Sequence, residues 1–254
     1  MMAPARKGLH RPSVGAADRA LPIPLDLLVD GMALKLTLSV RGLAAAAGEV
    51  RSALADGDLP GARRLLAWHL VSRDTSSLDA SHVAAAAIES VAENASDSAV
   101  APLVWFAVGG LPAAFAYRFV NTADAMLGYR DPDREWLGKC AARLDDGLNL
   151  VPARLTAVLM LCLGWLDGGR FARAWRIWWR DCLDTASPNA GHPMAAAAGV
   201  LGVELEKAGA YVLGAGQRLP GDADLARAVR LLGLTVAGLL GLMAASGLAW
   251  GSRQ

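Results

Sequence analysis

The stretch ESVAENASDSAVAPLVWFAVGGLPAAFAY, residues 89–117, joins an acidic stripe to an apolar segment. Glu89, Glu93 and Asp97 recur at every fourth position, so on an α-helix all three lie within a narrow arc of one face. The next twenty residues, 98–117, carry no charge and are numerous enough to cross the apolar core of a bilayer. The stretch therefore predicts a helix, with three carboxylates just before the N-terminal end of a candidate membrane span.

The composition of the chain also favours a membrane protein. Hydrophobic residues make up 54% of the sequence, above the roughly 45–50% that is usual in soluble domains, and the mean hydropathy is +0.32. Two further segments, residues 148–166 and 231–252, are long and apolar enough to span a bilayer. A core helix buried inside a soluble protein is the alternative for each of the three segments.

The remaining periodicity is helical, and no alternating strand pattern of useful length occurs. Residues 21–54 predict one long apolar helix, and residues 54–74 predict a turn and an amphipathic helix that begins near Asp58. Residues 168–181, GGRFARAWRIWWRD, interleave arginines with tryptophans, which is typical of a helix lying in the membrane interface; a solvated face over a soluble core is the alternative. We expect an all-α, polytopic membrane helical bundle with interfacial amphipathic helices.

The N-terminal residues, the cysteines and the net charge further restrict the class of protein that the sequence predicts. We expect residues 1–22 to form a disordered polar lead-in, without the apolar core of a signal peptide, and residues 23–252 to form one membrane-embedded domain. The three scattered cysteines predict neither a disulfide framework nor a zinc site. A net charge of +1 gives no support for a nucleic-acid partner.

Other polar residues gather at the ends of the apolar segments. Each group has an ordinary explanation as a helix cap, a turn or a solvated pair. Together they supply carboxylates of the kind that Mg²⁺ prefers, arginines suited to phosphate, and amides that can orient a substrate. Generic nucleotide-binding and hydrolase fingerprints are absent. The groups are Arg73 and Asp74, Asn121 and Asp124, Asp145, Asp146 and Asn149 with Arg154, and the loop at residues 187–191.

Five motifs, in order and spacing, resemble the adenosylcobinamide-phosphate synthases of cobalamin biosynthesis, the CobD/CbiB family. They are SRDTSSLD, ESVAENASDSAVAPL, AYRFVNTADAMLGYR, AARLDDGLNLVPARLTA and SPNAGHPMAAAAGVLGVEL, and the resemblance runs from about residue 27 to residue 232. It implies an all-helical, multi-pass enzyme in the cell (inner) membrane of a bacterium or archaeon. The implied reaction joins a propionate carboxylate of adenosylcobyric acid to (R)-1-amino-2-propanol or its O-phosphate, with ATP and Mg²⁺. The corrinoid, the aminopropanol, the bilayer and other enzymes of the pathway are the implied partners.

The resemblance gives the motif residues roles in activating a carboxylate by phosphoryl transfer. The expected catalytic residues are Glu89, Glu93, Asp97, Asp145 and Asp146. The expected metal ligands are Glu93, Asp97, Asp124, Asp145 and Asp146. Residues expected to bind substrate or phosphate are Arg73, Asp74, Asn94, Asn121, Tyr129, Arg130, Asn149, Arg154, Ser187 and Asn189.

The chain also departs from the family pattern. The first twenty residues do not resemble the usual apolar N-terminal segment, which predicts either a misplaced start or a shortened form. His192 stands where an aromatic residue is frequent and Met194 where many members have Glu, so we expect no catalytic role for either. Two other functions fit the sequence: a transporter of a cation or small solute, and a non-catalytic scaffold of the same family.

Overall fold

The computed structural model describes residues 23–127 and 135–251, which are helical apart from loops and one short hairpin. The hairpin pairs β1 (Leu205–Lys207) with β2 (Tyr211–Leu213) in antiparallel register. This part of the chain confirms the predicted all-α class. The helices are α1 (Ile23–Thr37), α2 (Val40–Ala55), α3 (Leu59–His69), α4 (Ala80–Ala95), α5 (Ala101–Leu127), α6 (Glu135–Leu163), α7 (Phe171–Asp181), α8 (Gly191–Leu201) and α9 (Asp222–Gly251).

The predicted helix over residues 21–54 is two helices, α1 and α2. The chain breaks at Leu38 and Ser39, where the Ser39 N–H donates to the Ser98 carbonyl at 3.0 Å. A hydrogen bond to a distant carbonyl replaces the bond within the helix, and the sequence periodicity does not reveal it. The predicted lead-in, residues 1–22, lies outside the described residues.

Two later helices each begin at an aspartate whose carboxylate caps the N-terminus. The Asp58 carboxylate accepts the Gly61 N–H at 2.9 Å and starts α3, which confirms the helix predicted near Asp58. Asp79 starts α4 in the same way by accepting the His82 N–H at 2.9 Å.

Helix α5 folds back on itself. Gly109 and Gly110 are not helical, and Gly110 has φ +67°, a conformation that glycine adopts without steric cost. The Tyr117 hydroxyl lies 3.2 Å from the Asp97 carbonyl, whereas a straight helix would separate the two residues by about 30 Å. The predicted span near residues 98–117 therefore contains a reversal of the chain.

Within the described residues, three helical stretches are long and apolar enough to cross a membrane: Ala80–Met126, Gly138–Asp167 and Asp222–Gly247. They include the segments predicted near residues 98–117 and 148–166 and most of the segment at 231–252. The stretch at 80–126 contains both the turn at the glycines and a π-helical segment, Ser96–Val100, which links α4 to α5.

A large apolar cluster joins α2, α3, α4, α6, α7, α8 and α9. A smaller cluster centres on Val100, Leu103, Leu159 and Leu239 and packs against α1. Helix α7 is amphipathic, as predicted: Ile177 and Trp178 are buried, while Trp179 is 70% exposed. Its location in a membrane interface stays a prediction, as does the single domain over residues 23–252.

The hairpin β1–β2 was not predicted. Each strand has only three residues, too few to display an alternating pattern, and Gly209, at φ +73°, lies between them. The hairpin matters for the site because it brings the Tyr211 side chain close to α4.

Candidate functional site

One cavity of about 800 Å³ gathers polar residues from segments that are far apart in the sequence. It is formed by the C-terminal end of α3 and the loop after it, the end of α4, the second half of α5, the first half of α6, and the start of α8 with its preceding loop. The predicted site residues that line it are Glu93, Asn94, Asp97, Asn121, Asp124, Asp145, Asp146, Asn149, Ser187 and Asn189.

Asp145 is held by two amides at the centre of this arrangement. Asn121 Nδ2 donates to one carboxylate oxygen at 3.1 Å, and Asn149 Nδ2 donates to the other at 3.0 Å. Asn149 is one helical turn after Asp145, so their pairing follows from α6 alone. Asn121 reaches Asp145 only because the second half of α5 packs against α6.

Tyr117 belongs to the same network, and the sequence did not predict it. Its hydroxyl lies 2.9 Å from Asn149 Oδ1 and 3.2 Å from the Asp97 carbonyl, and the side chain is 1% exposed. A helical pattern places residues 97 and 117 far apart, so no signal in the sequence could pair them. The tyrosine fixes the π-helical segment after α4 against α6.

Asp146 faces the loop that precedes α8. The Asn189 side chain donates to the Asp146 carbonyl at 2.8 Å, and Ser187 Oγ lies 3.4 Å from the Asp146 carboxylate. Arg154 does not line the cavity; its guanidinium donates to Asn189 Oδ1 at 3.3 Å and to the Leu150 carbonyl at 2.8 Å. Arg154 therefore positions a residue of the cavity wall.

Glu89 lies behind the cavity wall. It is 6% exposed, its Oε2 is 3.7 Å from an Arg73 guanidinium nitrogen, and its Oε1 has no hydrogen-bond partner among the described residues. Burial, together with the carboxylates of Glu89 and Glu93, raises the pKa of the nearby Tyr211 hydroxyl. Glu89 and Arg73 were each predicted as site residues, and the structure pairs them with one another behind the cavity wall.

A further predicted residue, Asp74, does not line the cavity. Asp74 is exposed, and its carboxylate accepts hydrogen bonds from the Ser76 N–H and hydroxyl, both at 2.9 Å, which stabilise a local turn. These bonds lower the pKa of Asp74 below its usual value. Tyr129 and Arg130 lie outside the described residues.

The π-helical segment widens the helix at the acidic stripe. Asp97 is its second residue, and Ser98 Oγ donates to Asn94 Oδ1 at 3.2 Å one turn earlier. Ser96, also in this segment, lines the cavity with a buried hydroxyl that has no partner among the described residues. Such single π-turns are frequent at functional sites.

The cavity fits magnesium only as part of a complex with substrate. In the described ranges, no three His, Cys, Asp or Glu side chains lie close enough to hold a metal ion by themselves. Mg²⁺ is usually held by one or two carboxylates together with water and substrate phosphates. Asp97, Asp124 and Asp146 line one cavity, and carboxylates in such a number suit that mode of binding.

Two aromatic residues near the cavity also escaped prediction. Trp68, at the end of α3, lines the cavity and is 81% exposed. Trp178 packs on His192 with ring centroids 5.8 Å apart, and neither Trp178 Nε1 nor the two His192 ring nitrogens have a partner among the described residues. Burial, and secondarily Arg154, lowers the pKa of His192 to about 4, so the ring is neutral at pH 7.

Comparison with known proteins decides the family. The family model described as CobD/Cbib protein matches residues 11–232. The chain belongs to the CobD/CbiB family. No solved structure matches it.

Curated members of the CobD/CbiB family are similar over most of the chain. A probable cobalamin biosynthesis protein CobD of Methanothermobacter thermautotrophicus is 46% identical over 88% of this chain and 74% of its own length. Proteins named cobalamin biosynthesis protein CobD are 49% identical in Dehalococcoides mccartyi, over 74% of this chain and 60% of the relative, and 46% identical in Chromobacterium violaceum, over 84% and 68%. The matches thus span about three-fifths to three-quarters of these relatives.

Proposed function

We propose that this protein forms an amide bond in cobalamin biosynthesis, in the cell (inner) membrane of a prokaryote. It joins a propionate carboxylate of adenosylcobyric acid to (R)-1-amino-2-propanol or its O-phosphate, with ATP as co-substrate. Family membership and the names of the relatives support a role in cobalamin biosynthesis. The amide-forming chemistry rests on the cavity, where carboxylates and amides from several distant segments converge.

The reaction requires activation because an amine does not displace oxide from a carboxylate. A carboxylate oxygen of the corrinoid attacks the terminal phosphorus of ATP, ADP leaves, and an acyl phosphate remains. The amine nitrogen then attacks the acyl carbon, phosphate leaves, and one proton passes from nitrogen to a base. Glu93, Asp97 and Asp146 line the cavity and are the candidates for that base.

The other residues orient the carboxylates of the cavity or bind phosphate. Asn121 and Asn149 hold Asp145 through their amides, and Arg154 holds Asn189 in the cavity wall. Arg73, paired with Glu89 at the loop after α3, is the candidate for stabilising charge on phosphate. Mg²⁺, held by the carboxylates of the cavity wall, would neutralise negative charge on phosphate oxygens.

The test is an assay on detergent-purified protein with adenosylcobyric acid, ATP, Mg²⁺ and either amine, in which the amide product is detected by mass spectrometry. Product from the parent protein should disappear in Glu93→Gln and Asp146→Asn. Asp184→Asn is the matched control, because Asp184 is exposed and does not line the cavity. No product from the parent protein with either amine would contradict the proposal.

Transport of a cation or small solute is the second candidate, and the broken helix α5 is the observation that favours it. Transporters often form their sites at interrupted helices, and the turn at Gly109 and Gly110 interrupts α5, whose second half lines the acidic cavity. Solute uptake into proteoliposomes that contain this protein, without amide formation in the assay above, would favour transport.

A further inference from the structure

The uncharged stretch after the acidic stripe is a helical hairpin. Its first arm is residues 98–108 and its second arm is residues 111–120, joined by the turn at Gly109 and Gly110. The arms carry one charged side chain, Arg118, near the end of the second arm. Both arms end at the cavity: Asp97 precedes the first arm, and Asn121 and Asp124 follow the second.

The length of each arm decides how far the hairpin reaches. Eleven residues in the first arm rise by about 16 Å and ten in the second by about 15 Å, whereas the hydrocarbon core of a bilayer is about 30 Å thick. Neither arm crosses such a core by itself. A stretch with the composition of a full span is therefore two half-length segments.

The outer surface of the hairpin suits hydrocarbon. Val108, next to the turn, is 71% exposed, Phe115 is 42% exposed and Phe119 is 75% exposed. Exposed apolar side chains continue on α1, where Met32 is 64% exposed and Leu36 is 77% exposed, and the two helices are in contact. Arg118 lies near the open end of the hairpin, and α1 also exposes Asp30 and Lys35, but the surface between the turn and Phe115 carries no charge. Such a surface matches the acyl chains of a bilayer rather than water.

The turn also limits the polar backbone that lipid would meet. Unpaired backbone N–H and C=O groups are costly in hydrocarbon. Pro112, at the start of the second arm, has no N–H to be left unpaired there. Gly110 supplies the positive φ that reverses the chain without a longer loop.

From these observations we propose that residues 98–120 form a re-entrant hairpin in the bilayer. The hairpin enters the hydrocarbon core, turns at Gly109 and Gly110, and leaves through the face by which it entered. The acidic cavity at its open end is then accessible from that face alone. This inference concerns membrane topology and holds whichever reaction the cavity performs.

The test uses single cysteines in the full chain, after Cys140, Cys162 and Cys182 have been replaced by Ser, Ser and Ala. Ser72→Cys and Thr122→Cys report on the open end of the hairpin, and Val108→Cys reports on its tip. Right-side-out and inverted membrane vesicles are treated with a sulfonated, impermeant maleimide. A lipid-soluble maleimide and labelling after solubilisation in detergent test whether each thiol is reactive.

We expect residues 72 and 122 to be labelled in the same vesicle orientation only. We expect residue 108 to resist the impermeant reagent in both orientations, and to react with the lipid-soluble reagent and in detergent. Labelling of residue 108 from the opposite side would mean a full crossing, and labelling from the side of residues 72 and 122 would put the tip in water. Opposite sidedness of residues 72 and 122 would also overturn the proposal. Phe119→Cys serves as a second probe of the lipid-facing surface if Val108→Cys does not fold.

Discussion

The Tyr117 hydroxyl lies 3.2 Å from the backbone carbonyl of Asp97, a residue twenty positions earlier in the chain. The same hydroxyl is 2.9 Å from Asn149 Oδ1, so one side chain ties together α5, α6 and the π-helical segment. This contact joins the two arms of the hairpin at the end nearest the cavity.

Removing this hydroxyl should loosen the cavity without changing its lining. We expect Tyr117→Phe to lower the free energy of unfolding by about 1–3 kcal/mol, because buried polar groups of Asp97 and Asn149 lose a partner. Thermal unfolding in detergent measures the effect. Phe115→Leu, an apolar change on the exposed side of the same arm, is the matched control and should have a smaller effect. An unchanged melting temperature in Tyr117→Phe would mean that the hydroxyl does not hold the hairpin closed.

The spacing in the sequence identified the acidic stripe but not its surroundings. Glu93 and Asp97 do reach one cavity, because positions four apart share a helix face. Glu89, on the same stripe, lies behind the wall with Arg73. Its surroundings depend on Tyr211, in a hairpin more than a hundred residues away, and helical periodicity carries no information about such packing.

The reversal of α5 was likewise beyond the sequence pattern. The stretch has the composition of a membrane span and contains Gly109, Gly110 and Pro112. Because spanning helices tolerate such residues, they did not by themselves predict a turn. The backbone angles of Gly109 and Gly110 and the contact between Tyr117 and Asp97 show a hairpin rather than a bent span. The sequence predicted the polar residues at the two ends of the apolar stretch as a group. It did not predict that the reversal brings both ends to one cavity.

Asp145 and Asp146 are adjacent but should respond differently to the loss of charge. Both carboxylate oxygens of Asp145 accept amide hydrogens, one from Asn121 and one from Asn149. In Asp145→Asn, an NH₂ group replaces one of these oxygens and faces the N–H of an asparagine instead of accepting it. We expect that variant to lower the free energy of unfolding by about 1–3 kcal/mol. Among the described residues, the Asp146 carboxylate has one contact, a long one of 3.4 Å to Ser187 Oγ, so Asp146→Asn should unfold at nearly the parental temperature.

The rate of amide formation should separate the two variants further. We expect Asp146→Asn to reduce kcat at least about tenfold while the fold remains intact, because it removes a charge from the cavity wall. Thermal unfolding and product formation, measured on the same preparations, provide the comparison. Equal melting temperatures for the two variants would contradict the assigned role of Asp145.

His192 should make stability depend on pH. Its pKa in the folded protein is about 4, against about 6.5 for an exposed histidine. Between these values the unfolded chain binds a proton that the folded chain does not, so stability falls as the pH decreases from about 6.5 to 4, by up to about 3 kcal/mol. His192→Phe removes the group that titrates. It also removes two buried ring nitrogens that have no partner among the described residues.

We therefore expect His192→Phe to unfold at the same or a higher temperature than the parent at pH 7, and to lose less stability between pH 7 and pH 5. The control is Phe115→Leu, which removes no titratable group and should retain the parental dependence on pH. A parental pH dependence in His192→Phe would show that another group titrates in this range.

Trp68 is the residue at the cavity that we expect to contact a planar ligand. Its ring is 81% exposed, and a tryptophan left in solvent beside a cavity can stack on the corrin macrocycle or on adenine. We expect Trp68→Ala to raise the KM for adenosylcobyric acid about tenfold with little change in kcat, since stacking away from the reacting atoms stabilises the bound ground state and the transition state alike.

Trp68→Phe should keep most of the affinity. Trp179→Ala, at a tryptophan 70% exposed outside the cavity lining, should leave KM unchanged. A rise in the KM for ATP alone would mean that Trp68 stacks on adenine, and parental values for both substrates would remove Trp68 from the binding site.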